Sequence, residues 1–282
     1  MRQGLALLCS ALLLAACGAS STPEQTPAAQ PQGEVIGWDR NPNTIVMRLD
    51  RIILNESPRQ RLNRLPTCTL YGDGRLIWVS FVPPAGEEVS ETYLDEVTMR
   101  GFLEYIIRDL NFYDLPDLAA QEFPPSEDAA QESLTLNVSR GLRTIRSYRG
   151  WANDAYLAIF ERCRTINPRR ALFVPAGAWI TVYEEPRNPA LPEVGWPLAA
   201  PFRLAEVAAS GEARWISGVA LSQLWNYERQ TQGRIQWLEN NIAYRVAIQV
   251  PNISRDAPPP PPGSETPTPE PSSTPLPSDS EE

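Results

Sequence analysis

Histidine and lysine are both missing from the 282 residues, so all 25 basic side chains are arginine. Without His, Ser-His-Asp and Cys-His hydrolysis and His-built zinc sites drop out. Without Lys, Schiff-base and pyridoxal chemistry and a Walker-type phosphate loop drop out too. Any reaction here must run on carboxylates, Tyr, Ser, Thr or Arg. The formal charge is -9, and no part of the chain offers the basic surface that nucleic acid requires, so no nucleic-acid partner is expected. No repeat of solenoid length is visible, and no residue set specifies a cofactor or a metal.

What is present begins at the N-terminus. Met1-Arg2-Gln3 carries one positive charge, and Gly4 to Ala16 is almost entirely Ala and Leu, the layout of an export signal. At ~1.5 Å per residue that run reaches about 20 Å as a helix, short of the ~30 Å hydrocarbon core, so it is a poor permanent span. It closes on Leu14-Ala15-Ala16-Cys17, which resembles the lipobox of bacterial lipoproteins. The resemblance implies removal of residues 1–16, acylation of Cys17 (diacylglycerol on its sulfur, with palmitate-type chains), and a chain held on the outer face of a bacterial membrane. Two or three acyl chains at ~0.8 kcal/mol per buried methylene tether a protein almost indefinitely. Cys9 lies within the signal and leaves with it.

Residues 17–33 and 255–282 are too polar and proline-rich to bury a core, and read as a disordered linker and a disordered Pro/Ser/Thr/Glu-rich tail. The tail sets Arg255 against six acidic residues, and the part between residues 34 and 254 is left with a net charge of -4. That part divides at a proline-rich crossing into a main domain over 34–184 and a smaller unit over 185–254.

Within the main domain, Thr44 to Leu49 and Ile52 to Leu54 read as strand, and Asn55 to Arg64 as a polar loop. Thr67 to Phe81 is a β-hairpin around Gly72-Asp73-Gly74. Thr92 to Leu110 is the main helix, with Thr92 as its cap and Met99, Phe102, Leu103, Ile106 and Leu110 on one stripe. Asn111 is a left-handed terminator. Leu134, Leu136 and Val138 alternate as a strand that turns at Arg140-Gly141 into a second hairpin, and Asn153 caps a second helix whose Tyr156, Ile159, Phe160 and Cys163 share a face. In the smaller unit a short strand over 213–216, a helix from Ser217 to Trp225 and a hairpin around Asn240-Asn241 follow. The expected fold class is α+β: hairpin, helix, hairpin, helix, then a smaller β-α-β-β unit.

That order, with the Thr69-Leu70-Tyr71-Gly72-Asp73-Gly74 turn, the Asn111-Phe112-Tyr113-Asp114-Leu115 helix exit and the second hairpin, resembles a domain of unknown function of bacterial exported proteins and lipoproteins, over residues 44–166. That family carries no established activity, so the resemblance implies a fold and no function. Two cysteines in an exported chain are expected to pair. A Cys68 to Cys163 bond would close a loop of roughly 96 residues, worth about 4 to 5 kcal/mol on a disputed chain-entropy account; two separately buried thiols are the alternative.

Arg140, Arg143, Arg146 and Arg149 on the second hairpin could form an anion site or a solvated strand face. The acids Asp73, Asp114, Asp117, Glu184 and Glu185 are the candidates for a two-carboxylate glycan hydrolase, though they are scattered or adjacent. Asp73 could also ligate a cation or simply suit a turn. Of the tryptophans (Trp38, Trp78, Trp151, Trp179, Trp196, Trp215, Trp225, Trp237), some could stack on sugars, while most in a domain this size fill core. The hairpins and few helices argue against a two-lobed solute-binding protein. The expectation is a lipid-anchored, non-catalytic interaction or structural module that meets the membrane through its anchor and an envelope protein or cell-wall polymer through its folded part. The alternative is a carboxylate hydrolase acting on cell-wall glycan.

Overall fold

The computed structural model describes residues 36–83, 86–120, 123–127, 129–148, 154–197 and 200–264. The expected signal, Cys17, the linker, Arg149, Trp151, Asn153 and residues 265–282 lie outside the described residues.

Strands β1 (Ile45–Ile53), β2 (Cys68–Tyr71) and β3 (Arg75–Val82) open the first sheet, and β2 and β3 form the expected hairpin. Its turn needs glycine. Gly74 has φ +88°, and a Cβ there would lie 2.3 Å from the Leu94 carbonyl oxygen. Between β1 and β2, the segment expected as loop contains a helix, α1 (Pro58–Asn63). Ser57 and Gln60 form a reciprocal capping box at its start, which satisfies amide groups the short helix would otherwise leave unpaired.

The main helix starts later than its sequence suggests. Thr92 belongs to strand β4 (Gly86–Tyr93), opposite Leu76 of β3. Helix α2 (Glu96–Glu104) begins after Asp95, whose side chain accepts the Thr98 amide at 2.7 Å. The predicted stripe from Met99 to Leu110 is buried. A π-helical turn, Tyr105–Asp109, continues it, and Asn111 at φ 50° ends it as expected.

The second hairpin is β5 (Ala130–Val138) and β6 (Gly141–Ser147), and the next helix is α3 (Ala155–Thr165), with Tyr156, Ile159 and Cys163 inward. Cys163 is bonded to Cys68 (S–S 2.14 Å), fastening α3 to the first sheet. With β7 (Ala171–Leu172) the sheet runs β6-β5-β1-β2-β3-β4-β7, every neighbour antiparallel. This is a mixed α+β fold of antiparallel hairpins and packed helices.

A second sheet collects β8 (Gly177–Glu184), β9 (Glu193–Gly195), β10 (Arg214–Ser217), β11 (Gln236–Glu239) and β12 (Ile242–Gln249) in the order β10-β8-β12-β11-β9. Helices α4 (Leu204–Ser210) and α5 (Gly218–Gln230) accompany it. Asn240 and Asn241 both take positive φ, 50° and 65°, the pair that a two-residue hairpin turn of right-handed twist demands. The expected boundary at residue 184 falls at the end of β8, which is hydrogen-bonded between β10 and β12. Strands from both sides of that point therefore interleave.

The first sheet is buried on both faces. Leu70, Leu76 and Trp78 join a cluster with Phe102, Ile106 and Ile159 of the covering helices. Tyr71, Ile77 and Val89 join another with Val182, Val246, Ile248 and Trp225. The described residues from Ile36 onward accordingly form one compact unit. The chain also stays on that unit beyond residue 254, where composition alone begins the tail. Arg255 pairs with buried Asp50, Gln249 donates to the Asp256 carbonyl and Trp179 to the Pro259 carbonyl. Composition registers the prolines here and not the three side chains that hold them.

Candidate functional site

The acids picked out from the sequence are not assembled into a site. Asp73 accepts the Arg75 amide at 3.0 Å, a turn contact. Asp114 sits in a short 3-10 turn, and Asp117 pairs with Arg146 at 2.8 Å. Glu184 ends β8, and Glu185 lies 4.0 and 3.8 Å from Arg59 and Arg245. On the second hairpin, where an anion site and a solvated strand face were both open, the described arginines are tied to neighbouring groups of the chain itself. Arg143 donates to the Tyr113 and Leu115 carbonyls, Arg146 is held by Asp117, and Arg140 stacks on the Tyr113 ring. These three fasten the helix exit to the sheet edge. Trp78, Trp196, Trp225 and Trp237 are buried in the core, Trp38 has the guanidinium groups of Arg40 and Arg100 over its ring, and Trp179 meets Trp215 edge to face.

The site that the fold does build is a cleft of about 530 Å³ between α1, α3 and the end of α5, within the ~300–1,000 Å³ range of ligand pockets. Helix α1 forms one wall because Asn63 pins it to β12: its Nδ2 donates to the Val246 carbonyl at 3.0 Å, and its Oδ1 accepts the Ile248 amide at 2.7 Å. The same helix presents Arg59 and leads into Arg64, which is paired with buried Glu56. Opposite, α3 supplies Tyr156, whose hydroxyl meets Thr67 at 2.6 Å. Burial pushes the Tyr156 phenol up to about 12. Phe81 and Leu157, both exposed, line the same cleft and give it an apolar lip.

The last turn of α5 brings in Glu228 and Arg229, both buried. Arg229 donates from Nη1 to Glu87 at 2.9 Å and from Nη2 to the Asn63 carbonyl at 2.8 Å, and lies over the Trp225 ring. Glu228 Oε1 accepts from Trp237 Nε1 at 2.9 Å. Its Oε2 and the Nε of Arg229 have no hydrogen-bond partner among the described residues. Burial pushes the Glu228 carboxyl up to about 7, against the Trp237 hydrogen bond and the charges of Arg229, Arg59 and Arg245. Arg51, Arg59, Arg64 and Arg229 line the cleft with the carboxyls Glu87 and Glu228. Arg64 is held by Glu56 and Arg229 by Glu87, and Glu185 lies 4.0 Å from Arg59.

Sequence reading missed this site because it ended the α5 helix at Trp225 and left α1 as loop. Two signals were available: the Ser57-Pro58-Arg59-Gln60 capping box, and the recurrence of Leu221, Leu224, Trp225 and Glu228 at helical spacing, which places an acid on the buried stripe.

Among the described residues no group of acids and cysteines could hold a metal ion, and no helix is long and apolar enough to cross a membrane. No family model, curated protein or solved structure matches the chain.

Proposed function

We propose that this chain is a lipid-anchored envelope protein whose folded part is a non-catalytic binding module, tethered at Cys17 on the outer face of a bacterial membrane and meeting its partner in the arginine-lined cleft. The anchor rests on the Leu14-Ala15-Ala16-Cys17 resemblance. The binding role rests on one observation above all, the buried Glu228 whose Oε2 is unpaired at a cleft lined by four arginines. A buried polar atom left unpaired costs roughly 1 to 3 kcal/mol.

Mass spectrometry of the native protein tests the anchor: the expected N-terminus is an acylated Cys17, and Cys17→Ala is expected to move the protein into the soluble fraction. An unmodified Cys17, or a chain still beginning at Met1, overturns it.

A second reading is a carboxylate hydrolase of wall glycan, and what favours it is that Glu87 and Glu228 line one cleft, with Glu228 holding its proton to about pH 7 as a general acid must. Glu228 is only 2 % exposed, however, and its Oε1 is engaged by Trp237, so binding ranks ahead of catalysis. Release of soluble sugars from purified wall material that disappears in Glu228→Gln would reverse that ranking.

A further inference from the structure

We infer that Trp179 and Trp215 form a docking site for polyproline segments, which this chain's own prolines 258–262 half fill and which a longer proline-rich segment of a partner protein takes over. Neither tryptophan lines the arginine-lined cleft, so this is a second site, and it depends neither on the cleft nor on the lipid anchor.

The site begins as a row of donors across the second sheet. Gln249 of β12, Trp179 of β8 and Trp215 of β10 are opposite one another in register, so their side chains share one face. Gly177 makes room for the last of them, since a Cβ there would lie 2.1 Å from Trp215 Cζ2. The two indoles meet edge to face with ring centroids 5.4 Å apart, and both are half-buried.

What crosses this row is a run of five prolines. Each proline fixes its own φ near about -65° and holds the residue before it in the extended region, so residues 257–261 follow a polyproline II path of about three residues per turn. Burial follows that period: Ala257 and Pro260 are half-buried, while Pro259 and Pro262 are exposed. The hydrogen bonds follow it too. Gln249 Nε2 donates to the Asp256 carbonyl at 3.1 Å and Trp179 Nε1 to the Pro259 carbonyl at 3.0 Å, acceptors one turn apart. The third donor is left over. The Trp215 indole N–H has no hydrogen-bond partner among the described residues, and the chain turns back at Gly263, φ +80°, where the Ser264 amide and hydroxyl donate to the Pro261 carbonyl at 3.1 and 2.6 Å.

Competition decides the occupant. No residue from 257 to 264 is buried, whereas Ile253 and Ser254 are, and Arg255 is held by Asp50. The run can therefore lift away beyond Asp256 without opening the core. While attached it sits at an effective concentration on the order of millimolar, and the identical run of a second copy has nothing to set against that. A partner whose polyproline continues for a further turn does. It offers another carbonyl to the second indole, in a preformed shape with little order left to lose.

Titration of the full chain with a capped deca-proline peptide, followed by the indole N–H resonances in heteronuclear NMR, tests this. The parent is expected to bind weakly, with the Trp179 and Trp215 resonances both moving. The triple variant Pro258→Gly, Pro260→Gly, Pro261→Gly unravels the resident run and removes no buried side chain; it is expected to bind roughly tenfold or more tighter, its competitor being lost. Trp215→Phe in that background keeps a ring and removes the donor, and is expected to weaken binding about fivefold, the worth of one hydrogen bond.

No movement of either indole at millimolar peptide, in parent and triple variant alike, overturns the inference. Equal affinity in those two chains overturns the resident run as occupant. Equal binding of a Gly/Ser peptide of the same length overturns the selectivity for polyproline, and unchanged affinity in Trp215→Phe overturns the second donor. A dimer of the parent at micromolar concentration that the peptide dissociates gives the site to a second copy and overturns a separate partner. None of these results bears on the cleft or on the mass at Cys17, so the two sites and the anchor fail separately.

Discussion

Glu228 is the residue at which stability, pH and the cleft meet. The folded chain holds its proton to about pH 7 against an ordinary value of 4.5, so between those values the native state binds more protons than the unfolded one. Stability therefore falls as pH rises through that window, by roughly 3 kcal/mol in all from this group. Glu228→Gln keeps an acceptor for Trp237 Nε1 and removes the titration. Its melting temperature is expected to exceed that of the parent at pH 8 and to vary less between pH 5 and 7.5; parallel profiles in a thermal scan would show that the burial is not felt. Asp50 is a second buried acid, here with a charged partner. It is 3 % exposed, paired with Arg255 and accepting the Arg51 amide. Arg255→Ala strands that carboxylate, at a cost of about 3 kcal/mol or more in chemical denaturation, and Asp50→Asn in the same chain is expected to restore part of the loss. This pair was invisible in sequence because it joins residues 205 apart, beyond any local pattern.

At the scale of elements, legibility follows how local the cause is. The β2–β3 turn, the Asn240-Asn241 turn, the stripe of α2 and the inward face of α3 are each fixed by residues within a few positions, and each was read. Strand β4 was not: its sequence is Gly-Glu-Glu-Val-Ser-Glu-Thr-Tyr, with little apolar alternation to see. Eight residue pairs along β3 hold it in the sheet, so tertiary pairing overrides a weak strand propensity. Helix α1 is the informative middle case, because its capping box was present in the sequence while its six residues include no buried one. Its stability comes from the cap and from Asn63. Ser57→Ala is expected to cost about 1 kcal/mol, with faster amide exchange over residues 58–63. Unaltered exchange over α1 would show that Asn63 alone holds the helix.

For the molecule as a whole, the sequence placed strands and helices but not the wrapping of one sheet over the other. That arrangement depends on the two faces of the β2–β3 hairpin, where Leu76 and Trp78 turn to one cluster and Ile77 to the other; both faces being apolar, alternation gives no sign of which side is solvent. The disulfide is where the long-range expectation succeeded, since the export expected from the N-terminal resemblance and the cysteine count sufficed to propose it. It also bears on the cleft. Cys68 follows Thr67, and Cys163 lies on the helix that carries Tyr156, Leu157 and Phe160, so the bond fastens two walls of the site to each other. Both cysteines are buried, at 0 % and 1 % exposure. Under non-reducing denaturation a maleimide is expected to label neither, and reductant is expected to act only once the chain opens. With two residues at a sequence separation of 95 joined, the Cys68→Ser, Cys163→Ser double variant is expected to lose about 4 to 5 kcal/mol in the chain-entropy account, read from denaturant midpoints by tryptophan fluorescence. An unchanged midpoint would show that the two walls are held by the Thr67–Tyr156 contact and the core beneath them.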